Sequence, residues 1–317
     1  ENVKMRSMLG SMARGAMGAA VGAAKHVLTA DPKAAFTAPQ DNDEAEVETL
    51  LQRVSDALMP EYRREAIVQL KDLLTDNPKA QLAVGSMGIP VLVSVLMDDR
   101  DDLDLIRGAL ECLVHAMSSH AGASSGQGQQ GQATAEAQAG AINAELFARK
   151  PEHVAMLLGL IEDEPVGIND FYVRYHTVQL LTALLQVCAY KLQDAILQSP
   201  MGVVRLMDML TEREVIRNEA LLLLVALTRS NEEVQKIAAF EGAFDRVFNI
   251  VREEGGADGG VVVQDCLELL NNLLRQNQAN QRLFREMGYI QQLPRVFAAA
   301  IPDPAAAAAA ATGQEGE

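Results

Sequence analysis

The stretch REVIRNEALLLLVALTRSN (residues 213–231) decides the architecture. Leu221 to Leu224 stand in a row, so one turn of the helix that this stretch predicts has no polar side. Yet the helix opens on Arg217-Asn218-Glu219 and closes on Arg229-Ser230-Asn231. A helix that is apolar all round packs against neighbours on every side. Polar ends on such a helix emerge at a surface. The expectation is a first helix wedged between its own partners and those of adjoining units.

The same pattern recurs along the chain. It reads YRREAIVQLKDLL from Tyr62, LIRGALECLVHAM from Leu105, VRYHTVQLLTALL from Val173, IRNEALLLLVALT from Ile216 and VVQDCLELLNNLL from Val262. Five residues on from each start stand Ile67, Leu110, Val178, Leu221 and Leu267; eight residues on stand Leu70, Leu113, Leu181, Leu224 and Leu270. The copies lie 43, 68, 43 and 46 residues apart, and the long interval contains the tract SSHAGASSGQGQQGQATAEAQAGA (118–141). That tract has no periodicity and is read as a disordered insertion. Two shorter apolar segments follow each long helix, as in 232–241 and 243–251, with joints at Pro90, Pro200 and Gly242. A period of 40–47 residues carrying two or three helices is the armadillo/HEAT signature. The sequence therefore predicts an all-α, armadillo/HEAT-like α-solenoid, a right-handed superhelix of helical repeats over residues 45–300. A flexible basic segment (1–44) precedes it and a disordered Ala-rich tail (301–317) follows. The last repeat lacks a polar capping helix, which suggests a piece of something longer or one half of an association.

Composition narrows the function. Net charge is −16, so nucleic acid is not expected as a partner, since binding it takes a clustered basic face to neutralise phosphates. Residues 2–30 are the local exception: they hold Lys4, Arg6, Arg14 and Lys25 and no acid. This segment reads as a weak amphipathic membrane contact, as a transit peptide, or as a flexible tail. No run of 18 apolar residues occurs, so no membrane span is predicted and a soluble cytoplasmic protein is the default. Cys112, Cys188 and Cys266 are far apart in apolar stretches and read as buried free thiols of a reducing compartment. His26, His115, His120, His153 and His176 show no metal-ligand spacing, and no nucleophile or phosphate-binding motif occurs. Neither catalytic residues, metal nor cofactor is expected, and the chain is read as not an enzyme. The Gly-rich EEGGADGGVVV (253–263) reads as a turn with Asp258 near a helix start.

Asp104/Arg107, Glu214/Arg217 and Asp170/Arg174 have helical pair spacing, which local pairing near helix starts explains. The competing reading is a ladder of arginines presented to an acidic partner. Nuclear-import adaptors carry a Trp and Asn ladder ten residues into these helices; here those positions are Asp72, His115, Ala183, Ala226 and Asn272, with no Trp. An importin-like role is not expected.

The segments SPMGVVRLMDML (199–210), REVIRNEALLLLVALTRS (213–230) and QKIAAFEGAFDRVFNIVREEGGADGGVVVQDCLELLNNLLRQNQANQ (235–281) resemble the globular head of the general vesicular transport factor family. These are tethering golgins of the ER–Golgi interface, and the likeness, of plant or algal type, covers roughly 45 to 297. RGAMG (14–18) is similar to the start of that family, which counts against a transit peptide. The resemblance implies the amino-terminal part of an armadillo head that acts without catalysis. It implies a parallel homodimer in the full-length protein and peripheral placement on Golgi and ER–Golgi transport membranes. Implied partners are an early-secretory Rab GTPase in its GTP form, SNARE proteins and Golgi tethering proteins. A generic armadillo adaptor for another cytosolic partner is the alternative. The candidate binding surface comprises Arg217, Asn218, Glu219, Arg229, Ser230 and Asn231, with Asp258, Gln264, Asp265, Asn271 and Asn272 on the next unit. Hydrogen bonding between repeats is the other reading of the asparagines.

Overall fold

The computed structural model describes residues 42–118, 135, 138–162 and 166–296. The expectations for the basic amino-terminal segment, for most of the 118–141 insertion and for the Ala-rich tail lie outside those residues. All regular structure among the described residues is helical.

The described chain falls into two compact units that divide after Arg205. In the first, α1 (Asn42–Asp56) precedes three helices, α2 (Pro60–Leu74), α3 (Pro78–Ala83) and α4 (Ile89–Asp98). Then come α5 (Leu103–Met117), α6 (Ala139–Phe147), α7 (Pro151–Leu160) and the long α8 (Phe171–Gln198). Helix α6 begins inside the tract read as an insertion. The division falls within α9 (Gly202–Asp208). The second unit contains α10 (Glu214–Thr228), α11 (Glu232–Phe240), α12 (Ala243–Glu253), α13 (Gly260–Leu274), α14 (Gln278–Glu286) and α15 (Tyr289–Val296).

Each of the five copies found in the sequence opens inside a helix that starts two residues earlier, at Pro60, Leu103, Phe171, Glu214 and Gly260. Two shorter helices follow each, so the repeat is a three-helix unit, as expected for an armadillo-type solenoid. The third copy looks different only because α8 runs its first two helices together. Its backbone departs from helix at Cys188 (φ −126°, ψ 48°), where the two meet.

First helices of successive repeats lie side by side: α2 packs on α5, α5 on α8, and in the second unit α10 on α13. Leu70, Leu113, Leu181, Leu224 and Leu270 are all buried there. Burial of one such leucine stabilises by about 1.5–3 kcal/mol. The run of four leucines differs from expectation, because Leu222 is 47% exposed while its three neighbours are buried. Leu222 falls on the exposed face of α10, at the position held by Glu111 and Glu268 in other copies. Leu267 is also exposed, at 45%, unlike its counterparts Ile67, Leu110, Val178 and Leu221.

An aromatic cluster closes the core of the second unit. Phe244 of α12, Phe284 of α14 and Tyr289 of α15 meet with ring centroids 4.9–5.3 Å apart. The phenol of Tyr289 donates to Asp245 at 2.6 Å.

Two helical stretches, Pro78–Asp98 and Phe171–Gln198, are long and apolar enough to cross a membrane, against the expectation of none. Much of each apolar window, 61% and 44%, is buried inside the fold. Helix–helix packing between repeats accounts for their apolar character.

Candidate protein-binding surface

The repeat corner determines where several candidate residues go. α10 ends at Thr228, and Ser230 takes a left-handed backbone (φ 63°) that turns the chain into α11. Asn231 caps that helix, its side-chain oxygen accepting from the Val234 amide at 3.1 Å. Four residues on, Gln235 donates back to the carbonyl of Thr228 at 2.8 Å. The first and fifth repeats build the same corner. Asp76 and Gln276 are left-handed, and Asn77 and Asn277 cap. Gln81 and Gln281 donate to the carbonyls of Leu74 and Leu274. Each side chain satisfies a helix-end group that would otherwise lack a partner. The signal was present in the sequence as N-x-x-x-Q at 77–81, 231–235 and 277–281.

Neighbouring repeats are joined by further amides. Asn272 donates to the Val225 carbonyl at 2.9 Å. Asn280 donates to the carbonyls of Gln235 and Leu273, and Asn277 to the side chain of Gln235. In the first unit Asn143 plays the same part, donating to the carbonyls of Gln81 and Ala116 at 2.7 Å each. Asn280 and Asn143 bear more of this work than the residues singled out from the sequence.

The arginines follow two rules. The arginine one position into the pattern ties its helix to the end of the third helix of the same repeat. Arg63 forks onto Asp99 with two bonds of 2.6 Å, and Arg217 reaches Glu254 and Glu253. The arginine two positions in reaches the N-cap aspartate of the next repeat. Arg64 contacts Asp102 at 3.0 Å and Arg107 contacts Asp170 at 2.9 Å, while Asp102 and Asp170 cap α5 and α8. The Arg107 guanidinium holds the Asp170 carboxyl below the ordinary carboxylate range. Arg107 also keeps its local partner Asp104, at 3.6 Å. A ladder therefore exists, but it runs between repeats and within them.

The eleven candidate residues consequently separate. Arg217 is buried and also donates to Asn218 at 3.1 Å. Ser230, Asn231 and Asn272 hold the corner and the repeat joint. Glu219 is half-buried, which raises its carboxyl pKa; Asp265 is half-buried too. Arg229, Asp258, Gln264 and Asn271 are exposed. Arg229 reaches across from the end of α10 to Glu268 of α13 at 2.7 Å, with both side chains well solvated. Arg217 and Arg229 stand twelve positions apart on the sequence, about 18 Å along a helix at 1.5 Å per residue. The set thus forms two clusters, one at each end of the α10–α13 pair.

The cysteines offer no reactive group. All three are buried and free, and burial pushes the Cys188 and Cys266 thiols up to about 12. Among the described residues, no group of three His, Cys, Asp or Glu side chains converges as a metal site.

No family model matches the chain. It is 52% identical over 229 residues to golgin candidate 6 of Arabidopsis thaliana, an overlap of 72% of this chain and 24% of that protein. It is 42% identical over 260 residues to the general vesicular transport factor p115 of Homo sapiens, covering 82% of this chain and 26% of the relative. The chain thus spans about a quarter of the length of these curated relatives. Its fold is similar to the crystal structure of Uso1-1, with a TM-score of 0.67 at 27% identity over 80% of this chain and 40% of that one. A designed armadillo repeat protein has a TM-score of 0.55 at 14% identity, over 80% of this chain and 91% of the other, which places the fold in the armadillo class.

Proposed function

Because this chain belongs, over the segment they share, to the family of the general vesicular transport factors and golgin candidate 6, we propose that it is part of the head of a vesicle tether. The tether works without catalysis in ER-to-Golgi and intra-Golgi transport. It is held peripherally on Golgi and ER–Golgi transport membranes from the cytoplasmic side and is a homodimer at full length. The head binds an early-secretory Rab GTPase in its GTP form, and the whole protein engages SNARE proteins and Golgi tethering proteins. The observation that carries this reading is the 52% identity over 229 residues with a golgin.

Within the second unit, the contact surface we propose is the exposed end of the α10–α13 pair, where Arg229, Ser230 and Asn271 lie. Core packing requires none of their exposed atoms. Binding of the purified chain to early-secretory Rab GTPases loaded with a GTP analogue or with GDP tests the proposal. GTP-selective binding that weakens at least tenfold in R229A, with the fold intact by circular dichroism, is expected. Equal binding of both nucleotide forms, or binding unchanged in R229A, removes this surface as the effector site.

A further inference from the structure

Most hydroxyl groups in this fold are already engaged. Those of Ser86, Ser118, Ser199 and Thr211 donate to backbone carbonyls three or four residues back, and Ser94 donates to Asp98. Thr228 is buried and donates to the Leu224 carbonyl at 2.7 Å. Ser55 and Ser230 stand apart. Both are exposed, and neither hydroxyl has a hydrogen-bond partner among the described residues. Their flanks differ, because Ser55 precedes Asp56-Ala57-Leu58 whereas Ser230 precedes Asn231-Glu232-Glu233. Glu232 and Glu233 are exposed in the first turn of α11. An exposed serine with acids two and three residues on matches a protein kinase with a basic cleft, since kinases select substrates by complementary charge.

The corner also accommodates charge. Its left-handed position holds Asp76 in the first repeat and Gln276 in the fifth, both exposed as Ser230 is. Asn231 and Gln235 make the hydrogen bonds that hold the turn, so the Ser230 hydroxyl is left over. A phosphoryl group there adds about −1.5 to −2 of charge at neutral pH. Of the cations nearby, Lys236 is paired with Glu232 at 2.7 Å within α11. Arg229 is the adjoining residue, with Cα atoms about 3.8 Å apart. Its side chain is 62% exposed, and its carboxylate partner Glu268 is 46% exposed. A pair this solvated is weak, and a phosphate accepts a bidentate, charge-assisted bond from arginine.

From this juxtaposition we infer that Ser230 is a phosphorylation site for an acidophilic protein kinase, and that its phosphate takes Arg229 from Glu268. The serine Oγ forms a bond to the γ-phosphorus of ATP as the bond to the β-phosphate oxygen breaks. ADP and the hydroxyl proton leave. The exposed end of the α10–α13 pair thereby exchanges its cation for net negative charge. On the proposed reading of that end as a partner contact, on which this consequence rests, the phosphate switches the contact off.

The full chain and S230A are incubated with an acidophilic kinase of Ser-x-x-Glu specificity and Mg·ATP, and modified residues are located by tandem mass spectrometry. Phosphate on Ser230 of the parent chain is expected; its absence there overturns the inference. Phosphorus NMR of the phosphorylated chain, with phosphorylated R229A alongside, then reads the second ionisation from about pH 5 to pH 8. A paired guanidinium favours the dianion, so the resonance is expected to titrate at lower pH in the parent chain than in R229A. Equal titration, in chains whose circular dichroism melts show them folded, overturns the capture of Arg229. Binding to an early-secretory Rab GTPase loaded with a GTP analogue is measured before phosphorylation, after it, and after phosphatase treatment. Phosphorylation is expected to weaken binding at least tenfold and the phosphatase to restore it. Binding that the phosphate leaves unchanged overturns the switch. A chain that carries the phosphate and its Arg229-dependent titration, yet binds the GTPase in neither form, refutes the partner contact and supports the modification site.

Discussion

Replacing Arg217 and Arg229 separately by alanine distinguishes an arginine that builds the repeat from one that lies on it. Arg217 has a side chain only 9% exposed and bonds to Glu254, Glu253 and Asn218. Loss of a hydrogen bond to a charged group costs about 1.5–3 kcal/mol. Breaking a fully buried ion pair costs about 3–5 kcal/mol, because a charge is left without a partner. Here the upper range does not apply, since Glu253 and Glu254 are 66% and 24% exposed and water takes them up. About 2 kcal/mol is therefore expected for R217A. The exposed Arg229–Glu268 pair contributes about 0–1 kcal/mol, so R229A is nearly neutral. Amide hydrogen exchange read by mass spectrometry on α10, α12 and α13 suits the comparison, because it reports opening locally. A loss of 2 kcal/mol raises the open fraction about thirtyfold. R217A is expected to accelerate exchange by roughly that factor in all three helices, and R229A by about fivefold or less. Acceleration below about threefold in R217A, or equal acceleration in both variants, refutes the assignment of Arg217 to the internal clamp. The same comparison governs any binding experiment: loss of a partner in R217A reports unfolding of the surface, whereas loss in R229A reports contact.

Three further outcomes follow from the packing. N280A removes the donor to the buried carbonyls of Gln235 and Leu273; at about 1–3 kcal/mol for each group left unsatisfied, the urea midpoint should fall by the equivalent of about 2–6 kcal/mol. L224A, at a fully buried position, should cost about 2–5 kcal/mol in the same assay, whereas L222A, at an exposed one, should stay within about 0.5 kcal/mol. Asp170 has a folded pKa depressed by Arg107, so its stabilising contribution is present above the ordinary carboxylate value of about 4 and is lost as pH falls through the lower folded value. D170N keeps an acceptor for the α8 cap and removes this titration; its stability is expected to fall less steeply than that of the parent chain below about pH 4, as followed by circular dichroism melts.

The repeat was legible because it rests on burial. Leu70, Leu113, Leu181, Leu224 and Leu270 share one environment and therefore one residue type, and their register places all five first helices to the residue. Leu222 was misread for the same reason: hydrophobicity alone cannot tell a leucine facing a neighbouring repeat from one facing water, and four in a row hide the helical period. The polar residues were harder. Arg217 and Asn231 look available in a linear sequence because their partners, Glu254 and the Val234 amide, are set by tertiary packing and by cap geometry. The N-x-x-x-Q corner could have been found, since its three copies share both spacing and backbone chemistry. The Arg64–Asp102 and Arg107–Asp170 links could not, since they join residues 38 and 63 positions apart.

These internal links bear on how a partner can approach. A chain of net charge −16 repels acidic surfaces at long range, and exposed cations are what normally offset that field. Here Arg63, Arg64, Arg107 and Arg217 are all engaged by carboxylates within their own unit. They position helices and contribute little outward attraction. Complementary charge must then come from the partner, which favours fast association at low salt and a steep fall in on-rate as salt rises. An arginine ladder directed outward would give the opposite preference, for acidic partners. The ionic-strength dependence of association, measured with basic and acidic partners of equal size, therefore distinguishes a surface whose arginines are structural from one whose arginines recognise.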